Sequence, residues 1–175
     1  MKSYLSSTIL QLKYYKILGE KTITRIPNNK LSFKLNDNSN SINTIVKLLN
    51  GNMLSRWTNF LNSDGEKDFR ERDNEFIDDI NNKEELLNLW VKGWGCLFNT
   101  LESLSETDLE KIVYIRNESR TVIESINRQL CHYSYHIGQI VYLGKFILEE
   151  NWESLSIPKG QSEEFNSKKF SIKKK

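Results

Sequence analysis

Gln129-Leu130-Cys131-His132-Tyr133-Ser134-Tyr135-His136-Ile137-Gly138-Gln139-Ile140-Val141-Tyr142-Leu143-Gly144-Lys145 reads as helix throughout and holds both histidines of the chain. Because His132 and His136 stand four apart, their imidazoles project from one helix face, one turn above the other. That is half of a metal site. A first-row metal takes imidazole nitrogens from a preorganised backbone, and a catalytic site has three protein ligands with water in an open position. On this helix only Gln139, a poor ligand, shares the face, so the third ligand has to come from elsewhere. Cys131 points about 100° away around the helix and reads as a buried small residue. The same spacing suits two structural histidines hydrogen-bonded in a core, and at this point both readings stand.

Working outward, Thr121 and Glu124 form a capping box that opens this helix, which runs to about residue 150. Before it, between residues 106 and 119, the period changes. Ile112-Val113-Tyr114-Ile115 reads as extended and Asn117 as a turn residue, which predicts a crossover or strand-like arm. Another helix is predicted over 83–104, with Asn82 as N-cap and Glu85 completing a capping box. Its face is Leu86, Leu89, Trp90, Trp94, Leu97, Phe98 and Leu101, and Gly93 and Gly95 point to a neighbouring helix passing close.

Ser41 is the expected N-cap of a helix over 42–62, with Ile42, Ile45, Val46, Leu49, Met53, Trp57 and Phe60 as its core stripe. Beside the stripe Leu48, Asn52 and Arg56 stack at intervals of four. Such a row is an ordinary helix flank or the lining of a cavity. Residues 66–79, after Ser63-Asp64-Gly65, mix acids and arginines with Phe69, Phe76 and Ile77 to bury, and read as a solvated loop or short exposed helix. Some of its carboxylates could fold back over a cleft. The first helix is expected over 3–24, carried by Leu5, Ile9, Leu12, Ile17 and Leu18 and ended by Pro27-Asn28-Asn29. Four long amphipathic helices in one chain predict an all-α four-helix bundle with a crossover arm between the third and fourth helices.

At 175 residues the chain suits one domain, expected over 1–160, followed by a lysine-rich tail over 161–175 whose last residues are expected to fray. The net charge of +2 comes from many charges of both signs, with lysines gathered at the end, so no basic field for nucleic acid spans the body. Cys96 and Cys131 lack metal-knuckle spacing and follow no export signal, which predicts reduced thiols in a cytoplasmic protein. The longest apolar run, residues 137–148, is interrupted by Gln139 and Lys145 and too short to span a bilayer. Lys168-Lys169 and Lys173-Lys174-Lys175 are either a solvated tail or a tether to an acidic surface.

The run His132-Tyr133-Ser134-Tyr135-His136-Ile137-Gly138-Gln139-Ile140 resembles the HxxxH-x-GQI signature of the DinB/YfiT-like superfamily of proposed metalloproteins. The stretches Ile45-Val46-Lys47, Gly51-Asn52-Met53-Leu54-Ser55-Arg56-Trp57, Ser63-Asp64-Gly65-Glu66-Lys67, residues 70–76, Ile126-Asn127-Arg128-Gln129 and residues 154–160 look like a bacterial branch of it made up of domains of unknown function. The resemblance implies a bundle, commonly a homodimer, with a divalent metal on three histidines at one end of a cleft. Relatives of that kind are thiol-dependent transferases, or metal-dependent isomerases and hydrolases. His132 and His136 carry over as two ligands. The position of the first, on the second helix, is Leu48, and leucine binds no metal. The site is therefore incomplete unless Asn52 or a carboxylate from residues 66–79 closes it, and zinc, nickel or manganese is expected weakly held or absent. Asn52, Arg56, Arg128 and Gln139 are the candidate contacts to a small molecule, the arginines because a guanidinium offers a carboxylate two parallel donors; surface or interhelical ion pairs are the alternative for both arginines. Two functions follow: a cleft that binds a small molecule without metal catalysis, or an active enzyme of the thiol S-transferase or hydrolase class.

Overall fold

The computed structural model describes residues 3–172 and is mostly helical, with one two-stranded ribbon. Four long helices make the body: α1 (Tyr4–Arg25), α2 (Ile42–Trp57), α3 (Lys83–Ser103) and α4 (Val122–Leu148). Each starts on a side chain that accepts from an otherwise unpaired amide of the first turn: Ser3, Ser41, Asn82 and Thr121. The Thr121/Glu124 capping box forms in full. At Asn82 half of the expected box forms, because Glu85 accepts from Asn81 instead. α1 packs on α3 and α4, and α2 does the same from its own side, so the apolar stripes of all four helices meet in one core.

Leu12, Ile45, Leu49, Met53, Trp57, Trp90, Trp94, Leu97, Tyr133, Ile137 and Ile140 are buried in that core. Gly93 has the predicted role: a Cβ there would stand 3.0 Å from the Asn50 Cα of α2. Gly95 faces open space, so close approach does not explain it. Ile17, assigned to the core stripe of the first helix, is half exposed, since it lies on the α1 face that meets neither α3 nor α4. Cys131 is exposed and not buried.

α2 ends five residues before the predicted boundary. Thr58 turns extended, Asn59 takes a left-handed φ of 49°, and Thr100 Oγ1 donates to the Trp57 carbonyl freed at the helix end. Asparagine is one of the few side chains that tolerates that conformation. Phe60 stays in the core from the turn.

The segment over 66–79 contains a short 3₁₀ helix, Arg72–Phe76. Its apolar residues Phe69, Phe76 and Ile77 are exposed, against expectation, while the carboxylate of Glu75 is buried. Arg70 clamps that carboxylate with two parallel bonds, Nε to Oε1 at 2.8 Å and Nη2 to Oε2 at 2.9 Å. The pair rests on α2 at Gly51, where any Cβ would collide with the carboxylate. Polar contacts to α2 therefore seat this segment: this pair on Gly51, Ser41 and Asn43 on Asp78, and Lys47 on Asp79.

Between α3 and α4 the predicted extended arm is a hairpin, β1 (Ile112–Ile115) with β2 (Glu118–Thr121), in antiparallel register from Ile112↔Thr121 to Ile115↔Glu118. Beyond Trp152, α5 (Ser162–Phe170) is a short helix that the sequence reading did not assign. Acidic residues in its first turn and lysines in its last complement the helix dipole, and Lys168 pairs with Glu164 one turn away. All its residues are exposed. Lys173, Lys174 and Lys175 lie outside the described residues.

Candidate functional site

The row Leu48, Asn52 and Arg56 on α2 faces a second row at the same spacing, Arg128, His132 and His136 on α4. Between them lies a cleft of about 530 Å³. Asn40, Arg70, Arg72 and Phe76 and the hairpin residue Arg116 complete its lining.

The two imidazoles meet edge to face, ring centres 4.8 Å apart. His132 Nδ1 stands 3.2 Å from Gln129 Oε1, and His136 Nδ1 stands 2.9 Å from Gln139 Oε1. An amide oxygen only accepts, so each Nδ1 carries the proton and each Nε2 keeps its lone pair. Burial pushes His132 down to about 4, with further lowering from His136 and from Arg128, Arg56 and Arg70. Burial also lowers His136, against a smaller opposing pull from its bond to Gln139. Both rings are therefore neutral at neutral pH.

Asn52 is oriented by a buried relay. Trp57 Nε1 donates to the Tyr133 hydroxyl at 2.9 Å, and that hydroxyl donates to Asn52 Oδ1 at 3.0 Å. An indole nitrogen can only donate, so the phenol must accept from it and pass its own proton to the amide oxygen. The Asn52 NH2 group is left as the polar end available to the cleft. Burial raises Tyr133 far above the ordinary phenol range, which keeps it protonated as the relay requires.

Five arginines line the cleft and no carboxylate does. Three are matched just outside the lining. Arg56 Nη1 donates to the Gly65 carbonyl and to Glu66 Oε2, the latter at 3.2 Å. Arg116 Nε reaches the same Glu66 oxygen at 3.1 Å, and Arg70 is clamped to Glu75. Burial lowers Arg56 despite Glu66, and Arg70 and Arg128 add to the lowering. Among the described residues Arg72 and Arg128 form no ion pair; Arg72 lies over the Phe76 ring at 5.2 Å. Arg56 Nε is buried with no hydrogen-bond partner.

Of the residues singled out from the sequence, Asn52, Arg56, Arg128, His132 and His136 come together here with Leu48. Gln139 does not line the cleft. It holds His136 and faces a separate hollow beside Tyr135 and Tyr142. Arg70, Arg72 and Arg116 went unassigned in the sequence, although the density of arginine in 66–79 and the Arg116-Asn117 turn were visible there. No carboxylate of residues 66–79 lines the cleft; Glu66 is held by Arg56 and Arg116, and Glu75 by Arg70. Among the described residues no group of three His, Cys, Asp or Glu side chains is placed to hold a metal ion.

Fold and site together define a helical protein with a cationic cleft whose fixed charges are all arginine. The chain belongs to the family described as Protein of unknown function (DUF1572), whose model matches residues 1–161. That span takes in α1 to α4 and the hairpin and stops short of α5. No curated protein and no solved structure matches the chain. No helix among the described residues is long and apolar enough to cross a membrane.

Proposed function

We propose that the chain is a four-helix bundle of the DinB/YfiT type whose cleft binds a small oxyanion, a carboxylate or phosphate, without a resident divalent metal. The observation that carries this reading is the cationic lining: guanidiniums from five arginines and the Asn52 amide face one space with no carboxylate among them. Among the described residues Arg72 and Arg128 form no ion pair, and Arg56 Nε is a buried donor without a hydrogen-bond partner, which is costly unless a ligand or water accepts from it. Charge-assisted bonds to an oxyanion satisfy all three. The two neutral imidazoles add acceptors, suited to a hydroxyl, thiol or amide proton on the same ligand.

The donor set does not suit a divalent cation. Two imidazoles with Leu48 in the third place leave the ligand shell open, and the arginines that already lower His132 through space repel a metal as they repel a proton. A metal-dependent enzyme of the thiol S-transferase or hydrolase class is the second reading. One observation favours it: both Nδ1 atoms are anchored to glutamine oxygens, the arrangement that orients Nε2 for coordination.

Metal content after dialysis separates the two. The oxyanion reading expects no stoichiometric metal in the parent protein and a gain of metal in Leu48→His. A full equivalent of zinc, nickel or manganese in the parent, lost in His132→Ala/His136→Ala, contradicts it and selects the enzyme.

A further inference from the structure

Arg116 reaches the cleft from the tip of the hairpin that leads into α4 and is far from α2 in sequence, and its backbone is strained to do so. Arg116 and Asn117 are the two central residues of the β1–β2 turn, with φ of 55° and 61°. A two-residue hairpin turn of this hand needs positive φ at both places. Asparagine tolerates that, whereas for arginine the left-handed region costs roughly 1 kcal/mol.

One carboxylate holds the strained turn. Asp64 Oδ1 accepts from Arg116 N at 2.8 Å and from Glu66 N at 2.7 Å, and Asp64 Oδ2 accepts from Asn117 N at 2.9 Å. Gly65 N adds a bond to the Tyr114 carbonyl at 2.8 Å. The same carboxylate therefore fixes both ends of an ion pair, Glu66 through its amide and Arg116 through its amide, and their side chains meet at the cleft rim. Desolvation raises Asp64, but the amides of Asn117, Glu66 and Arg116 outweigh it and its carboxyl is held below the usual range. Asp64 itself does not line the cleft.

We propose that Asp64 is a positioning residue for oxyanion binding: it ties the hairpin tip to the turn after α2 so that Arg116 completes the ring of donors. This rests on the oxyanion reading above. A tether that served folding alone would need neither an arginine in the left-handed position nor a tip directed at the cleft; glycine there would fold with less strain.

The probe is inorganic phosphate, titrated at low salt into the full chain. In 15N-labelled parent protein the Arg116 and Arg128 Nε–H resonances both shift with phosphate. In Asp64→Asn the Arg128 resonance still shifts and that of Arg116 does not. Asp64→Asn and Arg116→Gly each weaken phosphate about threefold, the range of a partly exposed ion pair, and the double variant is no weaker than Arg116→Gly alone. Arg116→Gly keeps the turn, so it isolates the lost cation even where Asp64→Asn folds poorly. An Arg116 resonance that phosphate leaves unmoved in the parent, with Arg128 shifting, overturns the inference and leaves the oxyanion reading standing. Additive losses in the double variant also overturn it. No phosphate binding by the parent overturns both.

Discussion

Arg70 and Arg128 both line the cleft, yet they are opposites. Arg70 is nearly inaccessible, and its guanidinium is matched bond for bond by Glu75 in a notch that only Gly51 permits. Arg128, on the facing helix, pairs with nothing among the described residues. The first arrangement is what a protein does with charge it must bury. The second leaves charge unmatched beside two neutral imidazoles and an amide turned by a dedicated relay. Matched charge here builds the wall of the cleft; unmatched charge is what the proposed oxyanion would meet.

Substituting each side shows the contrast most strongly. Glu75→Ala strands the Arg70 guanidinium, and a buried pair broken on one side costs about 3–5 kcal/mol. Urea denaturation is expected to show a loss of that order, whereas Arg128→Ala should leave the midpoint nearly unchanged. Comparable destabilisation by both would erase the distinction.

The relay comes next. Tyr133→Phe leaves Trp57 Nε1 and Asn52 Oδ1 unpaired, at about 1–3 kcal/mol for buried groups. It also frees Asn52 to turn its oxygen toward the cleft, so phosphate binding should weaken alongside stability. Unchanged binding in a folded Tyr133→Phe protein would separate Asn52 from the site.

The histidines sharpen the comparison through pH. His132 lies at about 4 in the folded chain against an ordinary 6.5. The unfolded chain thus binds more protons between those values, so this stabilisation is present above 6.5 and lost as pH falls toward 4. The fall in urea midpoint over that window should be smaller in His132→Gln than in the parent. Equal falls would mean that burial in the cleft does not depress His132.

The smallest effect concerns Glu66, which stands between the two kinds of arginine. It pairs Arg56 and Arg116 through one oxygen while remaining partly exposed. Glu66→Gln removes a negative charge paired to two arginines of the lining, so phosphate should bind about threefold tighter, within the range of such pairs. Weaker binding would mean that Glu66 orders the arginines more than it competes with a ligand.

Much of the architecture was legible because it rests on local signals: Ser41 and Thr121 cap where predicted, and the period of four that aligns Leu48, Asn52 and Arg56 also aligns Arg128, His132 and His136. Half the cleft followed from those two rows. The other half was hidden, since Arg70, Arg72 and Arg116 arrive on a loop segment and a hairpin turn placed by a few polar contacts. Glu75 over Gly51 and Asp64 beneath the hairpin tip are long-range pairings that no periodicity announces. The α2 end was misread because Phe60 continues the apolar pattern after the backbone has already turned at Asn59.

The most direct test is a calorimetric titration of inorganic phosphate, at low and at high salt in metal-free buffer, into the parent and into Arg72→Ala/Arg128→Ala. Saturable binding by the parent that weakens with salt and disappears in the double variant is the predicted result. No binding by the parent, or equal binding by the double variant, would contradict the claim that the unmatched arginines make this cleft a receptor for oxyanions.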